Sequence, residues 1–187
     1  MNLDKIYSSI IDNKNPATVE SLGWSSQEAQ QIRFKVISEI GIREGDSVLD
    51  VGCGYGDFSE FVYGEYLGID LRSQATSIAR KKYKLRNFKT SDVFSVHDKY
   101  DWVIASGIFC FENEKWEEET IRTLEKMYEL CNKGVAVNFL SSIADFQYKG
   151  MRYVRPEELF KLFINLTLKF SIRHDYEQDD FTIYLYK

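Results

Sequence analysis

The stretch VLDVGCGYGDF at residues 48–58 decides the fold of this chain. Its first four residues are mainly apolar. Together with Ser47 they predict a short strand at residues 47–51 that is buried on both faces. Gly52, Gly54 and Gly56 follow at alternate positions, where a backbone without side chains can turn sharply and approach a ligand closely. A helix is predicted to begin near Asp57. A glycine loop between a strand and a helix indicates a ligand site.

Strands and helices alternate along the rest of the chain. Ser25 or Ser26 can cap the first helix, and Gly41 stands where that helix would end. Helices are predicted at residues 26–40, from about 57, at 73–83, at 117–130 and from 156 to about 165. Strands are predicted at residues 47–51, 66–69, 87–90, 101–105, 135–140, 168–173 and 181–186.

Local signals suggest where several helices begin and end. Ser73 is predicted to cap the helix over 73–83, and Pro156 to stand in the first turn of the last helix. The sequence Asn132-Lys133-Gly134 reads as the C-terminal cap of the helix over 117–130.

The order of elements predicts an α/β fold. Parallel βα units come first, and the short turn between the last two β-rich runs implies an antiparallel hairpin. We therefore expect a Rossmann-like, doubly wound sheet of about seven strands, mostly parallel, with an antiparallel C-terminal hairpin strand. Such sheets bind ligands at the carboxyl ends of their strands.

Composition excludes several classes of protein. The 187 residues are 44% hydrophobic and 15% aromatic, enough to bury the core of one domain. The longest uncharged apolar stretch, 102–111, is about half of the ~20 residues that a membrane-spanning helix needs. Early charged residues leave no room for a secretory signal, and three scattered cysteines predict reduced thiols. We therefore expect a cytoplasmic protein without a membrane segment.

Charge and acidic positions narrow the choice of ligand. A formal net charge of −5 makes a nucleic-acid partner unlikely and favours a small-molecule substrate. Asp70 ends the second strand 18 residues after Gly52, where a carboxylate can accept hydrogen bonds from ribose hydroxyls. Asp57 would repel a pyrophosphate, whereas Asp50 could face an ammonium group. This description fits S-adenosylmethionine.

The sequence resembles the class I S-adenosylmethionine-dependent methyltransferases. The motifs that carry the resemblance are VLDVGCGYGDF at 48–58, GID at 68–70, SDVF at 91–94 and DWVIASG at 101–107. Weaker agreement, including Asn138 and Tyr176, extends it over about 22–187 and to a small bacterial subgroup whose substrate is unnamed. The length predicts a single domain over 1–187, with residues 1–24 as an N-terminal extension. Residues 141–155 are the longest insertion near the expected substrate mouth and are predicted to form a substrate lid.

The resemblance also implies a cofactor site for S-adenosylmethionine. The three glycines would contact its methionine portion and Asp70 its ribose. Asp92 and Val93 would lie at the adenine, and the guanidinium of Arg33 suits the cofactor carboxylate. The implied cofactor-binding residues are Trp24, Arg33, Asp50, Gly52, Cys53, Gly54, Gly56, Asp70, Leu71, Asp92, Val93 and Ser106.

Residues for the acceptor are less clearly marked. The run after the fourth strand, residues 105–109, lacks the Asn/Asp-Pro-Pro-aromatic pattern of enzymes that methylate nucleobase amines. Asp145 stands alone near the strand ends, so no metal is predicted. An aromatic and arginine-bearing lid suits a small anionic or sugar-like acceptor. The predicted substrate residues are Phe109, Tyr148, Arg152 and Arg155.

His174 is the candidate catalytic base. It ends the sixth strand, at the carboxyl edge if that strand is parallel to the others, and an imidazole can take up a proton near neutral pH. The alternative is a structural role in the hairpin. The other histidine, His97, is expected at the surface.

Three functions stay open from the residues. The leading hypothesis is methyl transfer to a small polar metabolite, such as a glycan or an anionic precursor. The first alternative is a catalytically silent cofactor-binding subunit. The second is a nicotinamide-dependent oxidoreductase, against which Asp50 and Asp57 both argue. The acceptor atom, the pathway and the oligomeric state are left open.

Overall fold

The computed structural model describes residues 18–187, so most of the predicted N-terminal extension lies outside the described residues. The strands are β1 Val48–Val51, β2 Tyr66–Asp70, β3 Asn87–Thr90, β4 Tyr100–Ala105, β5 Cys131–Ser141, β6 Tyr153–Val154, β7 Phe170–Arg173 and β8 Asp180–Tyr186. The α-helices are α1 Gln27–Ser38, α2 Ser73–Lys82, α3 Trp116–Leu130 and α4 Phe160–Phe163. The 3₁₀-helices are Val19–Leu22, Asp57–Phe61, Val93–Ser95 and Pro156–Leu159.

The strands form one mixed sheet in the order β3-β2-β1-β4-β5-β8-β7. Strands β1 to β5 are parallel, and β8 lies antiparallel between β5 and β7. Strand β7 therefore runs in the same direction as β1 to β5. The doubly wound fold with an antiparallel C-terminal hairpin strand is confirmed. The two-residue strand β6, which pairs with β5, was not predicted because it is too short to show a periodicity.

Helices cover both faces of the sheet. Strand alternation sends Val103 and Ala105 of β4 into the core under α3 and α4. Trp102 and Ile104 point to the other core, which contains residues of α1 and α2. Among residues 18–187, no helix is both long and apolar enough to cross a membrane.

Several local predictions need correction. Arg72, not Ser73, is the N-cap of α2. The cap predicted at Asn132-Lys133-Gly134 is wrong, because α3 ends at Leu130 and β5 begins at the next residue. Gly134 instead lies within β5, where there is no room for a side chain, since a Cβ there would lie 2.5 Å from the carbonyl oxygen of Leu185.

Two predicted helices are shorter than expected. The helix after the glycine loop is the five-residue 3₁₀-helix Asp57–Phe61, and the one at Pro156 is a 3₁₀-turn followed by α4. The cap of α1 is confirmed, because the Ser26 hydroxyl accepts a hydrogen bond from the Ala29 N–H at 3.1 Å.

Candidate functional site

The glycine loop follows β1 at the carboxyl edge of the sheet. The backbone amides of Gly52 and Cys53 donate to the Ile69 carbonyl at 2.8 and 2.9 Å, which joins the loop to β2. Gly54 has φ +54° and Gly56 has φ +82°, in the left-handed region that favours glycine. A side chain at Gly54 would also meet Leu22, its Cβ lying 3.0 Å from a methyl carbon of that residue. The loop needs glycine for both conformation and space.

The Asp70 carboxylate lies directly beside this loop. The side chain is buried at the end of β2, where it accepts the Gly54 N–H at 3.0 Å and the Arg72 N–H at 2.9 Å. The Arg72 guanidinium also reaches both carboxylate oxygens, from Nε at 3.2 Å and from a terminal nitrogen at 3.4 Å. One carboxylate thus links the glycine loop to the start of α2, and an arginine side chain covers its remaining acceptor positions.

Asp50 is buried inside β1 beneath the loop. Its Oδ2 accepts a hydrogen bond from the Tyr66 hydroxyl at 2.6 Å. Burial raises the pKa of this carboxyl group to about 7, and the neighbouring charges of Asp70 and Asp57 act in the same direction. The partner of Asp50 in the described structure is therefore a hydroxyl, and the ammonium contact expected from the sequence stays a prediction.

Asp57, which begins the helix after the loop, has its charge compensated by α2. Its carboxylate pairs with Lys82 at 2.5 Å and accepts the Tyr83 hydroxyl at 2.9 Å. Gln30 of α1 donates to the second oxygen at 3.5 Å. The repulsion of a pyrophosphate, which we inferred from Asp57, is therefore weaker than the sequence alone indicated.

The other predicted contacts on this side lie at the ends of β1, β2 and β3. Asp92 is exposed, and its side chain caps the turn Val93–Ser95 by accepting the Ser95 N–H at 2.9 Å. Leu71 is 62% exposed, whereas Val93 is buried. Cys53 is also buried, which raises the pKa of its thiol and keeps it protonated. Their roles in binding stay predictions.

Arg33 lies on α1, over the other half of the carboxyl edge. Its Nε pairs with Asp180 at 2.9 Å and a terminal nitrogen pairs with Asp179 at 3.3 Å. Trp24 lies with its ring centre 5.7 Å from the guanidinium. The contact between Arg33 and the cofactor carboxylate stays a prediction, but in the described structure this guanidinium is already held by two carboxylates of the chain.

The loop after β4 is connected to the same carboxylate. The Gly107 N–H donates to Asn138 Oδ1 at 2.8 Å, and Asn138 Nδ2 donates to both oxygens of Asp180 at 3.0 and 3.1 Å. Tyr176 also donates its hydroxyl to Asp180. Burial raises the pKa of Asp180, and the charge of Arg33 opposes that rise. The Ser106 hydroxyl is buried and has no hydrogen-bond partner among the residues that the structure describes.

Sequence reasoning did not assign a site role to Asn138, Tyr176, Asp179 or Asp180. Asn138 and Tyr176 carried part of the family resemblance, which was a usable signal. No local motif marks Asp179 and Asp180, because they follow a turn between two strands and look like ordinary loop acids.

The predicted lid contacts the loop after β4. The Arg152 N–H donates to the Cys110 carbonyl at 2.8 Å, and the Arg152 guanidinium lies 5.0 Å from the ring centre of Trp116. Tyr148 is exposed and Arg155 pairs with Glu157 at 2.7 Å.

The fourth predicted substrate residue, Phe109, is buried. It stacks on Phe139 with ring centres 5.1 Å apart. The structure thus places the four predicted substrate residues in different surroundings, and their contact with an acceptor stays a prediction.

His174 follows β7 at the carboxyl edge, because β7 is parallel to β1 through β5. Its Nε2 lies 3.3 Å from the Gln178 carbonyl oxygen, which can only accept, so a hydrogen bond here is donated by Nε2. Gln178 also donates to Asp145 at 3.0 Å. The position required for a base is present, and the catalytic role stays a prediction. His97 is exposed.

Comparisons with known proteins agree with this geometry. Residues 48–134 match the family model of a methyltransferase domain. Cyclopropane-fatty-acyl-phospholipid synthase of Escherichia coli K12 is 24% identical over 90 residues, covering 44% of this chain and 24% of that protein. A probable cobalt-precorrin-6B C(15)-methyltransferase (decarboxylating) of Saccharolobus solfataricus is 24% identical over 121 residues, covering 56% of this chain and 57% of that protein. The chain thus spans about a quarter of the length of the Escherichia coli protein and somewhat over half of the length of the Saccharolobus solfataricus protein.

A solved structure extends the likeness to the whole chain. Magnesium protoporphyrin IX methyltransferase from Synechocystis PCC 6803, with bound S-adenosylmethionine, matches with a TM-score of 0.66 at 17% identity. The match covers 100% of this chain and 91% of that one. Residues 48–134 therefore resemble a methyltransferase domain, and the chain shares its fold with a methyltransferase that binds S-adenosylmethionine.

Proposed function

We propose that this protein transfers the methyl group of S-adenosylmethionine to a small polar acceptor. The observation that carries the proposal is the Asp70 carboxylate, held 3.0 Å from the Gly54 amide at the carboxyl edge of the sheet. A carboxylate in this place can accept both hydroxyls of a ribose, while the glycine backbone leaves room for the methionine portion of the cofactor, which carries no phosphate. When bound, the cofactor supplies an electrophilic methyl group on its sulfonium sulfur, and the neutral thioether S-adenosylhomocysteine is the leaving group.

The proposed cofactor-binding residues are those named from the sequence, and one of them, Asp70, must first exchange a hydrogen-bond partner. The Arg72 guanidinium holds both Asp70 oxygens, so it must leave them before a ribose can bind there. A guanidinium offers two parallel N–H donors, much as a ribose offers two neighbouring O–H donors. Asp70 is therefore kept in place and hydrogen-bonded until the cofactor arrives.

The acceptor side supports a small polar molecule with a negatively charged group. The lid over residues 141–155 brings Arg152 to the loop after β4, and the buried Nε of Arg152 has no hydrogen-bond partner in the described part of the chain. His174 lies at the same edge, with its Nε2 3.3 Å from the Gln178 carbonyl oxygen. A glycan carrying a carboxylate, or another anionic precursor, has both a group for the arginine and a hydroxyl or amine to methylate. We treat the chain as one domain in this proposal.

The first experiment measures cofactor binding by calorimetry with S-adenosylhomocysteine. We expect wild type to bind and Asp70→Ala to bind at least about tenfold more weakly, because two charge-assisted hydrogen bonds are lost. The matched control is Asp98→Ala, an exposed acid before β4 at the opposite edge of the sheet. Equal affinity of the folded Asp70→Ala protein would remove Asp70 from the site.

Two further measurements separate the alternatives. Binding of NAD in place of S-adenosylhomocysteine would favour the oxidoreductase, which stays worth testing because the charge of Asp57 is compensated. Incubation with radiolabelled S-adenosylmethionine and a panel of anionic metabolites and glycans tests turnover. Cofactor binding without a methylated product across that panel would favour the silent subunit.

A further inference from the structure

A buried polar cluster lies under the loop that follows β4, on the face of the sheet that α1 covers. Strand alternation places Asn138 of β5 on this face, because Ala136 two residues before it packs in the same core as α1. Asp180 of β8 is on the same face by the same argument, four residues before Tyr184. The side chain of Asp180 is 1% exposed.

The hydrogen bonds of Asn138 fix the orientation of its side-chain amide. Asn138 must present its oxygen to the Gly107 N–H and its NH₂ group to Asp180, since the amide hydrogen can only be donated and the carboxylate can only accept. This leaves a single orientation for the Asn138 amide. The Gly107 carbonyl is held from the other side by the Cys110 thiol at 2.8 Å. Both polar groups of Gly107 are therefore held by side chains.

Arg33 and Trp24 complete the cluster from α1 and the segment before it. Arg33 neutralises Asp180 through Nε at 2.9 Å, and its guanidinium lies 5.7 Å from the Trp24 ring centre. The same Trp24 ring lies 3.6 Å from where a Cβ on Gly107 would stand. The contacts therefore return to Gly107, and the loop after β4 is held by the sheet below it and by an aromatic ring above it.

The residue next to this held glycine is Ser106, whose buried hydroxyl has no hydrogen-bond partner within residues 18–187. A buried hydroxyl without a hydrogen bond destabilises a protein unless a ligand satisfies it. Ile108, on the other side of Gly107, packs against Gly52 of the glycine loop, since a Cβ on Gly52 would lie 2.3 Å from its side chain. This segment therefore borders the proposed cofactor site.

We propose that Asn138, Asp180 and Arg33 are positioning residues that hold the Gly107 peptide so that the Ser106 hydroxyl can hydrogen-bond to the bound S-adenosyl ligand. The inference rests on the proposed function. Asn138 and Asp180 touch no ligand themselves and act on binding through the loop after β4, whereas Arg33 acts on the loop through its ion pair with Asp180 and keeps its proposed contact with the cofactor carboxylate.

The test uses the full chain, calorimetry with S-adenosylhomocysteine, and amide hydrogen exchange over residues 106–110. We expect Ser106→Ala and Asn138→Leu each to weaken binding by about tenfold, and Asn138→Leu to speed exchange in the free protein. The double variant should bind no more weakly than Asn138→Leu alone, since the hydroxyl contributes only while it is positioned. Asp180→Asn, which keeps the shape and removes the charge, provides a second test if Asn138→Leu does not fold.

The matched control is Thr182→Val, a fully buried position on β8 whose hydroxyl bonds to Tyr176 and not to Asn138. It should lower the melting temperature and leave the affinity unchanged. Affinities of Asn138→Leu and Asp180→Asn within twofold of wild type would overturn the positioning role and leave the proposed function intact. Absence of binding by wild type would reject the proposed function itself, and the positioning role with it.

Discussion

The carboxyl edge of the sheet has two halves, each built around a buried aspartate. Asp70 is bonded to the Gly54 amide, 16 residues away, and to Arg72, which is its near neighbour in the chain. Asp180 is bonded to Asn138, 42 residues away, and to Arg33 on the first helix. The first aspartate has a partner on a flexible side chain, whereas the partners of the second lie on packed elements. We infer that the first half exchanges partners for the cofactor and that the second half stays fixed.

The largest effect is expected at the glycine loop. Gly54→Val should abolish binding of S-adenosylhomocysteine, a loss of more than about 100-fold, because a β-branched residue at φ +54° is strained and its Cβ would contact Leu22. Calorimetry measures the affinity, and circular dichroism checks that the helices remain. Gly54→Ala is the matched control and should bind more weakly than wild type but still measurably. Wild-type affinity in a folded Gly54→Val protein would show that the loop is only a turn.

Removal of the fixed aspartate should mainly reduce stability. Asp180→Ala leaves Arg33, with 6% side-chain exposure, without its closest carboxylate. Loss of one partner of a buried ion pair typically costs about 3–5 kcal/mol of unfolding free energy. Urea denaturation measures the change, and Asp70→Ala, which leaves the more exposed Arg72, should lose less. A larger loss for Asp70→Ala would reverse the comparison between the two halves.

Asp50 should make stability depend on pH. Its folded pKa of about 7 lies above the ordinary 3.8, so the folded state holds this proton more tightly, and its contribution is lost as the pH rises from about 4 through 7. Asp50→Asn keeps an acceptor for Tyr66 and cannot ionise. The stability gain of the variant over wild type should therefore grow between pH 5 and 8, by about 2–3 kcal/mol. Parallel urea titrations of both proteins that stay equally spaced at all pH values would contradict this prediction.

The smallest effect is expected for Arg72. Arg72→Ala removes the guanidinium that covers the Asp70 oxygens, so S-adenosylhomocysteine should bind a few-fold more tightly than to wild type. Arg80→Ala, on the same helix, serves as the control because its guanidinium donates to the Phe88 carbonyl instead. Weaker binding to the Arg72→Ala protein would mean that the arginine contacts the ligand and does not compete with it.

Local sequence patterns were sufficient for the half of the site around Asp70. Strand β1, the three glycines and Asp70 lie within 23 residues, and their hydrogen bonds join neighbouring elements of one βα unit. The strands and the longer helices were also predictable, since buried strands are continuous apolar runs and α3 has a helical spacing. The errors were at helix ends, such as Gly134, where contact with Leu185 across the sheet decided the conformation.

The chain by itself thus determined the fold class, the glycine loop and the position of Asp70, because these depend on residues close together in sequence. Only the tertiary structure decided the surroundings of Asp57, whose charge is compensated by Lys82, and of Arg33, which pairs with Asp180. The partners of these charged groups come from distant elements, and a buried charge takes whichever opposite charge the packing brings within reach. The direction of β7, and with it the position of His174 at the carboxyl edge, was likewise set by its pairing with β8.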